Sequence, residues 1–180
     1  MRDLICSAGH GGTDPGASGN GLIERDETIW LRDAICAELD TYGVKYKKDR
    51  NQDALAATLA FFSRIWKPTT IAVDIHFNSF PNSQSNGTEV FIPNNATQFE
   101  KDLAGAVLKD LVQKGNFRNR GVKTPAQSGR GVLGWFRPNA EQILIEVCFL
   151  SNKTDVALWK ANKNNIAKAI AKTLSEYVKK

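Results

Sequence analysis

Histidine, cysteine and methionine are scarce in this chain, at 2, 3 and 1 among 180 residues. Three cysteines cannot all pair, and Cys6, Cys36 and Cys148 make no C-x-x-C spacing, so a disulfide scaffold, a zinc knuckle and a redox pair are excluded. Cys6 and Cys148 stand in strand-like apolar runs and Cys36 in a helical one, where a thiol behaves as a small hydrophobe. Long apolar runs are also missing. The longest stretch, residues 143–150, is interrupted by Glu146 and falls far short of the roughly 20 residues of a membrane span. Nor does an apolar signal core follow Met1, because a glycine-rich run begins at Gly9; the chain is expected to be made in the cytoplasm without a signal peptide. A content of 42% hydrophobic and 24% charged residues rules out disorder and collagen, and the length suits one domain over residues 1–180.

What is present is a formal net charge of +5 and an alternation of strand and helix patterns. Leu4-Ile5-Cys6 reads as a first strand. Leu31, Ile35 and Leu39 repeat every four residues before Gly43, giving a helix over residues 25–41. Residues 44–48 read as a second strand, and Leu55, Leu59 and Phe62 mark a helix that Pro68 closes. The β-branched run 69–76 is a third strand and residues 88–92 a fourth. Thr97 and Glu100 form a capping box ahead of Leu103, Val107 and Leu111, with Gly115 at the helix end. Residues 143–147 are a buried strand, and Ile166, Ile170 and Leu174 define a closing helix. This order predicts a single-domain α/β fold: a mainly parallel twisted sheet of about six strands with helices on both faces. Residues 81–87 and 116–131 read as loops, the second carrying Arg118, Arg120, Lys123 and Arg130 without an acid.

Both histidines directly follow or end predicted strands, His10 in Gly9-His10-Gly11-Gly12 and His76 in His76-Phe77-Asn78-Ser79. In an open α/β sheet the carboxyl ends of strands line the ligand crevice, so the two imidazoles can converge there. Six of the 14 glycines lie between Gly9 and Gly21, yet neither a dinucleotide nor a phosphate-loop pattern fits. Two imidazoles, one carboxylate and an open position suit a catalytic zinc. Asp14, Glu24, Asp26, Glu27 and Asp74 are candidate carboxylates, and spacing does not choose among them. Glu146, within an apolar strand, is either a structural ion-pair partner or a catalytic base, since an unpaired carboxylate there is costly.

Taken together, Gly9-His10-Gly11-Gly12 with Asp14-Pro15-Gly16-Ala17, Glu24-Arg25-Asp26, His76-Phe77-Asn78-Ser79, Asn119-Arg120-Gly121-Val122-Lys123 and Glu146-Val147-Cys148-Phe149 resemble the ordered motifs of zinc-dependent N-acetylmuramoyl-L-alanine amidases, the Amidase_3 family of cell-wall amidases and phage endolysins. The resemblance implies His10, Glu24 and His76 as ligands of one Zn2+ per chain and Glu146 as the catalytic carboxylate. It implies hydrolysis of the amide between N-acetylmuramic acid and L-alanine in peptidoglycan. Asn78 and Arg120 are candidate substrate-binding residues, Asn78 being equally readable as a turn residue. The sequence departs from the family at Asp74, where Ser is common, at Cys148, where Gly is common, and over residues 129–139. The helix over residues 55–66 fits the basic fold, so no autoinhibitory insertion is expected.

The implied setting is a phage endolysin that reaches the wall after release, with a sporulation or lysis amidase, or the catalytic domain of a longer protein, as the alternatives; a monomer is expected, and no separate wall-binding domain is evident. Seven lysines against two acids between Lys153 and Lys180 give either a solvated helix face or a surface for anionic wall polymers or lipopolysaccharide. Nucleic acid is not an expected partner, because no aromatic or helix-turn-helix motif accompanies the charge. The alternatives are a zinc hydrolase for another amide or ester, an inactive wall-binding module, and a Cys148 nucleophile paired with His76.

Overall fold

The structure, a computed structural model, describes residues 1–128, 133–137 and 139–180. The elements run β1 (Leu4–Ala8), β2 (Ser18–Gly19), β3 (Leu22–Ile23), α1 (Glu24–Thr41), β4 (Lys47–Lys48), α2 (Leu55–Phe62), β5 (Ile71–Asn78), β6 (Thr88–Phe91), α3 (Gln98–Gly115), β7 (Asn119–Lys123), β8 (Glu141–Phe149) and α4 (Lys153–Tyr177). Six strands form one sheet in the order β4-β1-β5-β8-β6-β7, and β2 and β3 pair as a small separate ribbon. In the main sheet β6 runs antiparallel to β8 and the other pairs are parallel. The expected α/β sheet of about six strands, mainly parallel, is therefore what forms.

Strand alternation sorts the sheet's side chains onto two faces. Leu4 and Cys6 of β1, Val73 and Ile75 of β5, and Ile143, Ile145 and Val147 of β8 pack with Leu31 and Ile35 of α1, Leu103 and Val107 of α3, and Ile166 and Ile170 of α4. Ile5, Ala72, Leu144 and Phe91 face the other way, under Phe62 of α2 and Trp135. Each large aliphatic side chain in the first layer contributes about 1.5–3 kcal/mol by leaving water. Among the described residues the second face is covered by the short helix α2 together with Trp135 rather than by three long helices, and the cavity beside His76 opens on it. The capping box predicted at Thr97 forms: Thr97 Oγ1 accepts from Glu100 N at 3.1 Å and Glu100 Oε2 from Thr97 N at 2.8 Å.

Several boundaries differ from the sequence reading. The second strand shrinks to Lys47–Lys48, because only these residues find a partner on β1. The helix after Leu55 stops at Phe62. Asn116, not Gly115, takes the left-handed turn after α3, at φ 57°. The largest difference lies in the loop expected over residues 116–131, which contains strand β7 beside β6. Its polar, glycine-containing run Asn119-Arg120-Gly121-Val122-Lys123 lacks apolar alternation because it is an edge strand. Residues 129–131 of that expected loop, together with residues 132 and 138, lie outside the described residues.

Candidate active site

The loop after β1 carries His10, in left-handed backbone at φ 67°. The loop is tied down from several sides. Gly9 N donates to Ile75 O at 2.7 Å, Thr28 Oγ1 of α1 donates to Gly9 O at 2.7 Å, and Arg25 N donates to Pro15 O at 3.1 Å. Gly9 is in contact with the His76 ring, where a side chain would collide. At Gly16, with φ 63°, a Cβ would come within 2.7 Å of both Glu24 Oε2 and His10 Cδ2. Glycine is therefore required at both places by the closeness of the site residues.

Glu24 opens α1 and is buried, at 4% exposure. Its Oε2 lies 3.2 Å from His10 Nε2 and its Oε1 lies 3.1 Å from His76 Nδ1. Backbone N–H groups hold the same carboxylate, Ala17 N on Oε2 at 2.8 Å and Phe77 N on Oε1 at 3.0 Å. The far nitrogen of each ring faces a second carboxylate: His10 Nδ1 lies 2.8 Å from Asp14 Oδ2, and His76 Nε2 lies 2.9 Å from Asp74 Oδ2. The two rings meet edge to face with centroids 5.2 Å apart. Of the carboxylates the sequence left open, Glu24 stands between the rings, Asp14 and Asp74 stand behind them, and Asp26 and Glu27 turn elsewhere, Asp26 to Arg25 and Glu27 to Trp159 Nε1.

The electrostatics follow this arrangement. Burial works against the charge of Glu24, but hydrogen bonds to His10 and His76 outweigh it and hold the carboxyl well below the usual range. The hydrogen bond to Glu24 raises His10 against the opposing effect of burial. Burial would lower His76, yet Asp74, Glu24 and the charge of Glu146 lift it well above its ordinary value. The cluster is thus a negative site that holds protons on its imidazoles when nothing else neutralises it.

As a metal site the donor set fits. His10, Glu24 and His76 place their candidate ligand atoms all within 4.8 Å of one another. Each imidazole has its rear nitrogen engaged by a carboxylate, as metal-bound histidines characteristically do. Among the described residues no other cluster of this kind occurs.

Glu146 sits beside His76 in the register of β5 and β8, on the face that also carries Asp74. A cavity of 180 Å³ here is lined by His10, Asp74, His76, Trp135 and Glu146 among others. Next to it runs a groove of 450 Å³ lined by Asn78, Glu89, Arg120, Lys123, Phe149 and again Glu146. Asn78 Nδ2 donates to Glu89 Oε1 at 2.8 Å and its Oδ1 accepts from Ser79 N at 3.0 Å, so it both holds Glu89 and makes a turn. Arg120 also reaches Glu89. The sequence reading missed Glu89; its only signal there is a lone acid in an apolar strand. Cys148 points into the three-helix side of the sheet, away from His76, fully buried, and burial raises its thiol well above the ordinary range. That removes it as a nucleophile. Cys6 and Cys36 are buried free thiols in the same layer.

The N-acetylmuramoyl-L-alanine amidase family, Amidase_3, matches the chain over residues 5–176. The chain belongs to that family. Amidase relatives include LytC of Bacillus subtilis, an N-acetylmuramoyl-L-alanine amidase 28% identical over 93% of this chain and 34% of its own length. The endolysin of Bacillus phage SPP1 is 28% identical over 98% of this chain and 66% of its own length. The chain thus spans from a third to just under two thirds of these relatives. Among solved amidase structures, AmiC2 of Nostoc punctiforme superposes with a TM-score of 0.79 at 27% identity, over 99% of this chain and 98% of that one. Among the described residues of this amidase-family chain, no helix is long and apolar enough to cross a membrane.

Proposed function

We propose that this chain hydrolyses the amide between N-acetylmuramic acid and L-alanine in peptidoglycan, with one zinc ion held by His10, Glu24 and His76. The observation that carries the reading is the convergence of two imidazoles and one carboxylate with Glu146 beside them, within a family of amidases. When bound there, zinc supplies a Lewis acid that polarises the carbonyl and acidifies water.

The chain's own residues do the rest. Glu24 offers the ion a full negative charge, kept ionised by the groups around it. Asp14 and Asp74 fix the ring orientation of His10 and His76 and present their site-facing nitrogens. Glu146 takes the proton of the attacking water. It then delivers that proton to the alanine nitrogen as the carbon–nitrogen bond breaks, a general acid/base contribution of about 10²–10⁴-fold. Asn78 and Arg120 line the groove through which the substrate extends.

The setting that goes with this reading is a monomeric enzyme of the cell wall, an endolysin or lysis amidase, with residues 1–180 as its catalytic domain. The lysines of α4 are the candidate contact for anionic wall polymers. In the test, Glu146→Gln keeps stoichiometric zinc and loses turnover by at least about 100-fold, whereas His10→Ala, Glu24→Ala and His76→Ala lose zinc. Near-normal lysis of purified sacculi by Glu146→Gln, or full metal retention in all three ligand variants, contradicts the proposal.

A further inference from the structure

The row of charged side chains does not end at Glu146. Register sets His76 beside Glu146 and Glu146 beside Glu89, on three neighbouring strands. Arg120 follows on β7, and it arrives there by an irregularity. Val122 packs toward the three-helix side, and regular alternation would send Arg120, two residues before it, to that same side. Instead Arg120 and Gly121 together oppose the single residue Glu89, between the pairs Thr88–Asn119 and Val90–Val122. Gly121 takes φ 92°, which favours glycine. This bulge turns Arg120 over to the site face, as bulges near active sites do.

There Arg120 Nε donates to Glu89 Oε2 at 2.7 Å, with its guanidinium 4.8 Å from the Phe149 ring centroid. Lys123 Nζ reaches the same oxygen at 2.5 Å. Two cations thus converge on one buried carboxylate, and both remain about a quarter exposed, at 27% and 25%. The neighbouring acid Asp155 is satisfied by the backbone N–H groups of Gly87 and Phe149. One cation suffices to neutralise Glu89. The second is a surplus over Glu89 at the β7 side of the groove; with Glu146 on β8 included, the described lining carries two cations and two carboxylates.

We infer that Arg120 and Lys123 form a subsite for a carboxylate of the stem peptide: the free α-carboxylate of its second residue, on the leaving-group side of the scissile amide. The inference rests on the amidase reading above. Strands lie about 4.8 Å apart, so β6 is roughly 5 Å and β7 roughly 10 Å from Glu146 on β8. Arg120 leans back to Glu89 on β6, which brings its guanidinium between those limits. The second stem residue is a glutamate linked through its side chain, which leaves its α-carboxylate about two residue lengths, roughly 7 Å, from the alanine nitrogen. A carboxylate on the third residue stands roughly 10 Å away or more. The distance therefore selects the second residue, and the charge selects its acid over its amide.

The test compares two soluble muropeptides that differ only in carrying an α-carboxylate or an α-amide at the second residue. The zinc-loaded wild type is expected to cut the acid with kcat/KM about tenfold above the amide, mainly through KM, as a partly exposed charge-assisted contact implies. In Lys123→Gln and Arg120→Gln, at unchanged zinc content, that ratio falls toward one, while Arg120→Lys retains part of it. Equal cleavage of both substrates by wild type overturns the inference without needing any variant to fold, and leaves the amidase reading standing. So does a ratio that survives both Gln variants, or a preference that follows amidation of the third residue instead. Cleavage of neither substrate by the zinc-loaded protein refutes the amidase reading, and the subsite with it.

Discussion

Replacing Asp74 by Asn isolates what a buried charge behind His76, a proposed metal ligand, does. Asp74 is 2% exposed, its Oδ2 lies 2.9 Å from His76 Nε2, and Oδ1 has no hydrogen-bond partner among the described residues. Asn keeps the shape and an acceptor for the ring N–H but removes the negative charge that makes the imidazole a stronger donor. Loss of such a partner costs about 10–100-fold in metal affinity, which is ~1.4–2.7 kcal/mol. While His76 is protonated the change also takes away its buried counter-charge and weakens the metal-free fold; at high pH, where the ring is neutral, it only relieves the burial of a charge, and there the metal-free fold is not destabilised. At high pH the two effects have opposite signs, and that separates a positioning role from a structural one. Zinc affinity is measured by competition with a chromophoric chelator at several pH values, alongside the melting temperature of the metal-free protein. The deficit is largest at high pH, where wild-type His76 has shed the proton that Asp74 helps it hold. An affinity within twofold of wild type at pH 8, or a fall matched by equal destabilisation of the metal-free fold, refutes the reasoning.

Three further outcomes are expected. In the metal-free protein His10 and His76 have raised values and Glu24 a lowered one, so the cluster's stabilisation is complete between about pH 4.5 and 6.5. It is lost above as the imidazoles deprotonate and below as Glu24 is protonated. Calorimetry of metal-free protein then shows a falling Tm from pH 6 to 9, roughly 2–4 °C per kcal/mol, and zinc reverses the trend because it binds neutral rings; a metal-free Tm that rises over that range is the contrary result. Gly16→Ala forces a Cβ against Glu24 and His10 at φ 63°, costing about 1–3 kcal/mol, and lowers zinc occupancy; full occupancy at unchanged Tm counts against it. Asp49→Ala takes from Arg32, which is fully buried, its buried partner Asp49 Oδ1 at 2.9 Å and leaves it Asp33 and Asn51, and destabilises by about 1.5–3 kcal/mol in urea unfolding; a loss under 1 kcal/mol, about the worth of a surface pair, argues against that pairing.

The alternation of apolar runs made the sheet and the three-helix layer legible, because β5 and β8 are buried on both faces and their sequences say so. Histidines at strand ends pointed to the crevice. Residue spacing alone did not choose Glu24, since five carboxylates lie near the histidines in sequence and only the turn through Pro15 and Gly16 brings this one between the rings. Strand β7 was illegible for a related reason. Its pattern is broken by the bulge at Gly121, and its charged residues answer Glu89, a partner more than 30 positions away in sequence. Local patterning reports the faces that meet the core; it does not report which distant charge an edge strand must satisfy.

Mass analysis of the ends released from purified sacculi by the zinc-loaded protein tests the central claim most directly. The account predicts stem peptides with a free N-terminal alanine and glycan strands that keep intact lactyl groups, with neither formed by Glu146→Gln. New reducing sugar ends, or cleavage inside the stem or cross-bridge with the lactyl–alanine amide left whole, would contradict it.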